Sequence, residues 1–355
     1  MSVYIIAEAG VNHNGDFDTA CQLIDAAVAA GADAVKFQTF KAENLVTHQA
    51  GKAAYQKAAT GADENQLAML KRLELKYEWH VQLLDYCRKK GIEFLSTAFD
   101  FESLAFLVND LRVGQLKVPS GEVTNGPFLL AHAQTGKPIV MSTGMATLGE
   151  VETALGVLAF GYLKQVQPPS LLAFQQAYCS VEGQRLLQEK VTLLHCTSEY
   201  PTPMENVHLR AMDVLSQAFG LKVGYSDHTI GLTVPVAAVA RGATLIEKHF
   251  TLDRSLEGPD HKVSLEPDEL KIMVRSIREI EQALGQGFKF PQPVELENQR
   301  VVRKSLVAGK SIAKGEVFTP DNLVIKRPGT GKSPMAYWSV LGEQSLHDYD
   351  PDQLI

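Results

Sequence analysis

A chain of 355 residues is longer than the roughly 250–300 residues that one hydrophobic core usually supports, so more than one folding unit is expected. Its 45% hydrophobic and 21% charged residues are ordinary for a globular protein, and a net charge of -7 argues against the basic face that nucleic acid selects. No run of ~20 apolar residues suits a membrane span, no basic leader opens the chain, and the four cysteines lack CxxC spacing, which together read as a reduced, cytoplasmic protein.

In chain order, eight short apolar runs read as strands: residues 4–7, 34–37, 93–95, 115–118, 138–141, 191–194, 222–224 and 244–246. Helical patterns alternate with them. Asp16 is placed to cap a first helix that carries Leu23, Ile24, Ala27 and Val28 on one face and stops at Gly31. Further amphipathic segments cover 74–90, 103–108, 127–134, 147–160, 234–241 and 267–284. Strands alternating with helices over this length predict a parallel α/β architecture, here a (β/α)8 TIM barrel over residues 1–284. Residues 41–73 are a long connection expected to cross the barrel mouth. Residues 161–189 read as an inserted helical hairpin, serving as a lid or interface, or as a surface decoration. A Gly- and Pro-bearing linker over 285–295 leads to a loop-rich module of about sixty residues, 296–355, marginal in size on its own.

Polar residues able to do chemistry sit at or just past the end of every strand run. They are Glu8, Lys36 with Gln38, Thr97, Ser120 with Glu122, Ser142, Thr197 with Ser198 and Tyr200, Asp227 with His228, and Glu247 with His249. In a parallel barrel these ends converge on one face, where active sites lie. His228 and His249 follow adjacent strands and suit a divalent ion with open positions for water or substrate oxygen, with Asp227 and Glu247 as their outer partners. No third protein ligand is evident, which favours manganese or magnesium over zinc. The alternative is a pair of hydrogen-bonded core histidines. Lys36 and Lys117 interrupt apolar runs, where an ammonium group is costly to bury alone. With Thr97, Ser120 and Ser142 they describe a cradle for phosphate or carboxylate. Their alternatives are a structural network with Glu8 and Glu122, or a Schiff-base lysine. Glu8 and Glu122 are candidate general bases, and Tyr200 and Asp260 candidate partners of sugar hydroxyls. No GxGxxG or GxxxxGK[ST] motif supports nucleotide binding.

The chain resembles the sialic acid synthase (N-acetylneuraminate synthase) family over nearly its whole length. The segments that carry the resemblance are AEAGVNHNGD (7–16), AVKFQTF (34–40), FLSTAFD (94–100), KVPSGE (117–122), MSTGM (141–145), LLHCTSEYPTP (193–203), GYSDHT (224–229), EKHFT (247–251) and GPDH (258–261). KRPGTG (326–331) is similar to the antifreeze-like (SAF) module of that family. The resemblance implies condensation of phosphoenolpyruvate with N-acetylmannosamine and water, by C–O cleavage, to N-acetylneuraminate and phosphate. It implies His228 and His249 as metal ligands, with manganese first and magnesium or cobalt next. It implies Lys36, Thr97, Lys117, Ser120, Ser142 and Ser198 as phosphoenolpyruvate contacts, and Glu8, Gln38, Glu122, Tyr200 and Asp260 as the set handling sugar and water. Arg327 would enter the active site of a second subunit, which implies a domain-swapped homodimer. Ser198 departs from the asparagine of some members. The alternatives are a legionaminic or pseudaminic acid synthase, which uses a 6-deoxy diacetamido sugar and needs a more apolar pocket near its last carbon, and a non-catalytic sugar-binding protein.

Overall fold

The computed structural model describes residues 2–52, 56–57 and 65–355, in two compact units, Met1–Gly285 and Gln286–Ile355. In the first, eight parallel strands close into a barrel in chain order. They are β1 (Tyr4–Gly10), β2 (Ala34–Thr39), β3 (Glu93–Ala98), β4 (Leu116–Val118), β5 (Ile139–Ser142), β6 (Val191–His195), β7 (Lys222–Asp227) and β8 (Leu245–His249). The period-2 alternation of side chains sorts each strand. Inward-facing Ile6, Ala34, Leu95, Val140, Leu194 and Leu245 form a plug of their own. Outward-facing Ile5, Val35, Phe37, Phe94, Val118, Met141, Leu193 and Ile246 join the core beneath the helices. Gly224 faces this interior, where a Cβ would come within 2.3 Å of the Leu245 carbonyl oxygen.

Most strands run further than the apolar runs suggest. β1 continues to Gly10 past a register shift between Glu8 and Gly10, and β8 ends on His249. Several chemical residues therefore lie within the last turn of pleat, held by ladder hydrogen bonds. Glu8 is paired in register with Lys36 on one side and His249 on the other; Thr97 pairs with both Gln38 and Lys117; Ser226 pairs with Glu247.

The helices follow their caps. Asp16 accepts from the Thr19 amide ahead of Phe17–Ala30, which stops at Gly31 with φ 82°. Thr147 and Glu150 form a capping box for Leu148–Tyr162. The sequence reading names no helix between the sixth and seventh strands. Ala211–Phe219 is one, with Met212, Leu215 and Phe219 buried at helical spacing. The insertion is a hairpin of Leu171–Cys179 and Val181–Lys190. Phe174 lies 5.2 Å from the Phe160 ring, and its carbonyl comes close to Gly156, so the hairpin packs against the outside of Leu148–Tyr162. The connection after β2 carries helices Ala42–Leu45 and Gln66–Leu73; residues 53–55 and 58–64 of the expected excursion lie outside the described residues.

The second unit pairs β9 (Ser305–Ala308) antiparallel with β10 (Leu323–Lys326) over a small core of Leu306, Ala308, Ile312, Phe318, Leu323 and Val340. It begins at Gln286, so residues 286–295, expected as linker, count with it. No described helix is long and apolar enough to cross a membrane, and all four cysteines are free.

Candidate active site

The strand ends of the barrel open into a cavity of about 520 Å³. Its floor is a buried square of charges. Lys36 Nζ lies 2.5 Å from Glu8 Oε2 and 3.6 Å from Glu247 Oε2, and donates to Thr97 Oγ1 at 3.0 Å. Lys117 Nζ donates to Ser142 Oγ at 2.8 Å and to Glu247 Oε1 at 3.2 Å. Ser226 Oγ donates to the same Glu247 oxygen at 2.9 Å. All four charged side chains are at most 6% exposed.

Burial raises the Glu8 carboxyl to about 7; Lys36 opposes that rise and Glu247 adds to it. Burial also works against ionised Glu247, but Lys117 and Lys36 outweigh it and hold this carboxyl below its ordinary value. Lys36 is raised, because Glu247 and Glu8 overcome its desolvation, while desolvation lowers Lys117. The floor thus holds one firmly ionised carboxylate, Glu247, and one, Glu8, whose burial favours its protonated form.

His228 and His249 stand beside this floor, with ring centroids 5.9 Å apart. His228 Nδ1 lies 2.6 Å from the Thr197 carbonyl, which fixes the proton on Nδ1 and leaves Nε2 as an acceptor, 3.1 Å from the Tyr200 hydroxyl. Burial lowers both imidazoles, His249 strongly, with His228 adding to the effect. Neutral rings are the ligating form. His249 Nδ1 is buried with no hydrogen-bond partner, the kind of orphan that a ligand satisfies. The pair fits a divalent ion on these grounds. Among the described residues no group of three or more His, Cys, Asp or Glu side chains could hold a metal, so water or substrate oxygens would complete the coordination.

Two expectations about these histidines need correction. Asp227 alternates outward and pairs with fully buried Lys248 at 2.6 Å and with Thr229, so the Thr197 carbonyl orients His228 instead. Glu247 serves the lysines and Ser226, and among the described residues His249 Nδ1 has no hydrogen-bond partner to orient its ring. Nor does Glu122 pair with either lysine. It accepts from Asn125 Nδ2 at 2.6 Å, half-buried at the rim.

The remaining candidates Gln38, Ser120, Ser198, Tyr200 and Asp260 line the same cavity. Ser120 Oγ accepts from the Gly144 amide at 3.0 Å. A Cβ at Gly144 would lie 2.4 Å from Ser198 Oγ, so glycine lets these hydroxyls approach. Asp260 sits on a loop pinned by His261, whose Nδ1 is 2.7 Å from Thr251 Oγ1, and burial pushes its carboxyl up to about 6. Arg327 is exposed in the second unit, one residue past β10.

Sequence reasoning missed Glu247 as the charge between the lysines, although its place two residues before His249 puts it on the same face. It also missed an apolar wall of the cavity, formed by Val11, Leu45, Val46, Met69, Leu70, Leu73 and Phe99.

Residues 23–289 match the NeuB family and residues 303–353 the SAF domain. The chain belongs to the NeuB family. Among its relatives, the N,N'-diacetyllegionaminic acid synthase of Campylobacter jejuni is 49% identical over 99% of this chain and 98% of its own length. The synthase of the same name from Legionella pneumophila is 44% identical over 97% and 90%. The crystal structure of the N-acetylneuraminic acid synthetase of Leptospira borgpetersenii superposes with a TM-score of 0.68 at 33% identity, covering 84% of this chain and 90% of that one. The resemblance read from the motifs is thus a NeuB-family relationship, and the fold is the family's barrel followed by a SAF domain.

Proposed function

We propose that this NeuB-family chain is a transferase that condenses phosphoenolpyruvate with a 6-deoxy diacetamido hexose and water, giving a nine-carbon 2-keto acid of the legionaminic type and phosphate. The observation that carries the reading is one cavity in which Lys36 and Lys117, with their hydroxyl partners, lie beside His228 and His249. The sugar assignment departs from N-acetylmannosamine. It is supported by 49% and 44% identity to two N,N'-diacetyllegionaminic acid synthases, against 33% for the sialic acid synthetase structure. The apolar side of the cavity supports it as well.

In this reading Lys36, Thr97, Lys117, Ser120, Ser142 and Ser198 hold the phosphate and carboxylate of phosphoenolpyruvate. A divalent ion, manganese first, held by His228 and His249 would supply Lewis-acid polarisation of the sugar aldehyde. The enol methylene attacks the aldehyde carbon, whose oxygen takes the C=O electron pair and then a proton to become a hydroxyl, and positive character develops at the carbon bearing the phosphate oxygen. Glu8, or Glu122 at the rim, takes a proton from the water that adds there. Collapse to the ketone breaks the C–O bond and releases phosphate into the lysine cradle. Gln38, Tyr200 and Asp260 hold the sugar. Holding two reactants in register supplies on the order of 7–11 kcal/mol of such a barrier. We further propose, on the resemblance of KRPGTG, that Arg327 of the partner subunit completes the sugar site in a domain-swapped homodimer.

The test is to incubate the protein with phosphoenolpyruvate, Mn2+ and the diacetamido sugar, then weigh the product and measure phosphate. One phosphate per keto acid is expected. Turnover with N-acetylmannosamine and none with the diacetamido sugar would overturn the substrate; no phosphate release with any acetamido sugar would overturn the reaction.

A further inference from the structure

The turn after β1 gives the cavity only Val11, yet its next two residues, Asn12 and His13, are buried as deeply as the barrel core. Backbone bonds from the Asn12 amide to the Ala9 carbonyl and from the Asn14 amide to the Val11 carbonyl fold the turn back on itself. A buried side-chain amide is costly unless hydrogen-bonded, and both asparagines spend theirs on one other segment, the loop after β8. That loop leaves the barrel at His249 and returns at Leu265. Its base is closed by the Leu265 amide on the His249 carbonyl and the Thr251 amide on the Leu265 carbonyl, each at 2.9 Å. Between them Gly258, Pro259 and Asp260 are buried, and Pro259 and Asp260 line the cavity.

Asn12 Nδ2 donates to the Phe250 carbonyl at 2.8 Å and to Ser264 Oγ at 3.0 Å. Ser264 Oγ donates on to the Asp260 carbonyl at 2.7 Å. Asn14 Nδ2 donates to the Glu257 carbonyl at 2.9 Å, and Asn14 Oδ1 lies 3.3 Å from His261 Nε2. The two asparagines thus grip the loop on either side of Pro259 and Asp260. The fit is close, since a Cβ at Gly258 would lie 2.6 Å from His261 Cδ2 and 3.0 Å from Asn14 Oδ1. Asp260 precedes the short turn His261–Val263, but its carboxyl makes no capping bond to it. Its backbone is held while its carboxyl stays uncommitted to the loop.

We infer that Asn12, Asn14 and Ser264 are positioning residues that set the Asp260 carboxyl against the hydroxyls of the sugar. The inference rests on the proposed condensation, because it takes Asp260 as a sugar contact. Backbone pairs already close the base of the loop, so what the asparagines add is the placement of the segment between their two grips. A side chain that must meet a substrate hydroxyl needs this outer support, since a small displacement breaks the hydrogen bond. None of the clamp's bonds reaches Lys36, Thr97, Lys117, Ser120 or Ser142, which sit on other strands, so the phosphoenolpyruvate cradle is independent of it.

Two gentle variants on separate segments test it. Ser264→Ala cuts the bond to the Asp260 carbonyl and leaves Asn12 on Phe250. Asn14→Gly deletes the outer grip at a residue whose φ of 52° glycine adopts freely. Losing a neutral hydrogen bond corresponds to roughly two- to tenfold in affinity. Each variant should raise KM for the diacetamido sugar by about that factor, measured as phosphate release with Mn2+, with kcat within about twofold and KM for phosphoenolpyruvate unchanged. An unchanged sugar KM in either variant that stays folded overturns the inference. So does a rise in KM for phosphoenolpyruvate that matches the rise for the sugar, which is what loosening the whole barrel mouth would give. Turnover by Asp260→Asn at the wild-type sugar KM removes Asp260 as the contact and leaves the clamp without an object. No phosphate release by the wild type with any acetamido sugar removes the parent reading, and this one with it.

Discussion

Glu247 stands between two lysines from other strands, 3.2 Å from Lys117 Nζ and 3.6 Å from Lys36 Nζ, and is itself almost fully buried. It neutralises the floor before any anion arrives. Removing one partner of a buried charge network leaves the others unpaired, at a cost of about 3–5 kcal/mol. Glu247→Gln should therefore lower unfolding stability by about that much in urea melts. Added phosphate should recover more stability in the variant than in the wild type, because the anion supplies the missing charge. Equal phosphate effects would contradict a cradle centred on these lysines.

His249→Ala should keep the fold and lose Mn2+ binding by more than the ~10–100-fold that outer partners of a metal site cost. Electron paramagnetic titration of free Mn2+ reads this without turnover. Unchanged Mn2+ affinity would remove His249 as a ligand.

Much of this site was legible along the chain, for a physical reason. A lysine inside an apolar strand run must find a partner, so Lys36 and Lys117 announced the floor, and two histidines ending adjacent strands announced a shared mouth. Orientation was harder. The outward turn of Asp227 toward Lys248 depends on where β7 ends in the barrel, which a run of apolar letters marks only loosely. The apolar wall was hidden because residues 41–73 read as a long connection over the barrel mouth; that Met69, Leu70 and Leu73 line a cavity is a long-range fact. The hairpin at 171–190 likewise resolved into packing against Leu148–Tyr162 only in three dimensions.

Asp260 gives a pH signature with a defined sign. Burial raises it from the ordinary 3.8 to about 6, so the native state holds this proton more tightly than the unfolded chain. Its contribution to stability is therefore undiminished below about pH 4, falls as pH rises to about 6, and is a constant penalty above that. At 1.36 kcal/mol per pKa unit the penalty is about 3 kcal/mol. Asp260→Asn should be more stable than wild type by up to that amount at pH 7.5 and by nothing at pH 3.5, while losing sugar turnover. A stability difference that does not change with pH would contradict the buried carboxyl.

The proposed domain-swapped dimer makes a complementation prediction. His249→Ala and Arg327→Ala should each be nearly inactive alone. Refolded together at equal amounts they should regain about one quarter of wild-type turnover, since half of randomly paired dimers carry one intact site of two. No recovery in a mixture shown by sedimentation to be dimeric would place Arg327 and His249 of one chain in the same site, and full turnover by Arg327→Ala alone would place Arg327 in none.

The most direct measurement is a crystal structure of the protein with phosphoenolpyruvate and Mn2+. The phosphate and carboxylate should lie within hydrogen-bond distance of Lys36, Lys117 and Ser142, with the ion on the imidazoles of His228 and His249. Phosphoenolpyruvate bound away from the two lysines, or an ion held by other side chains, would contradict the account.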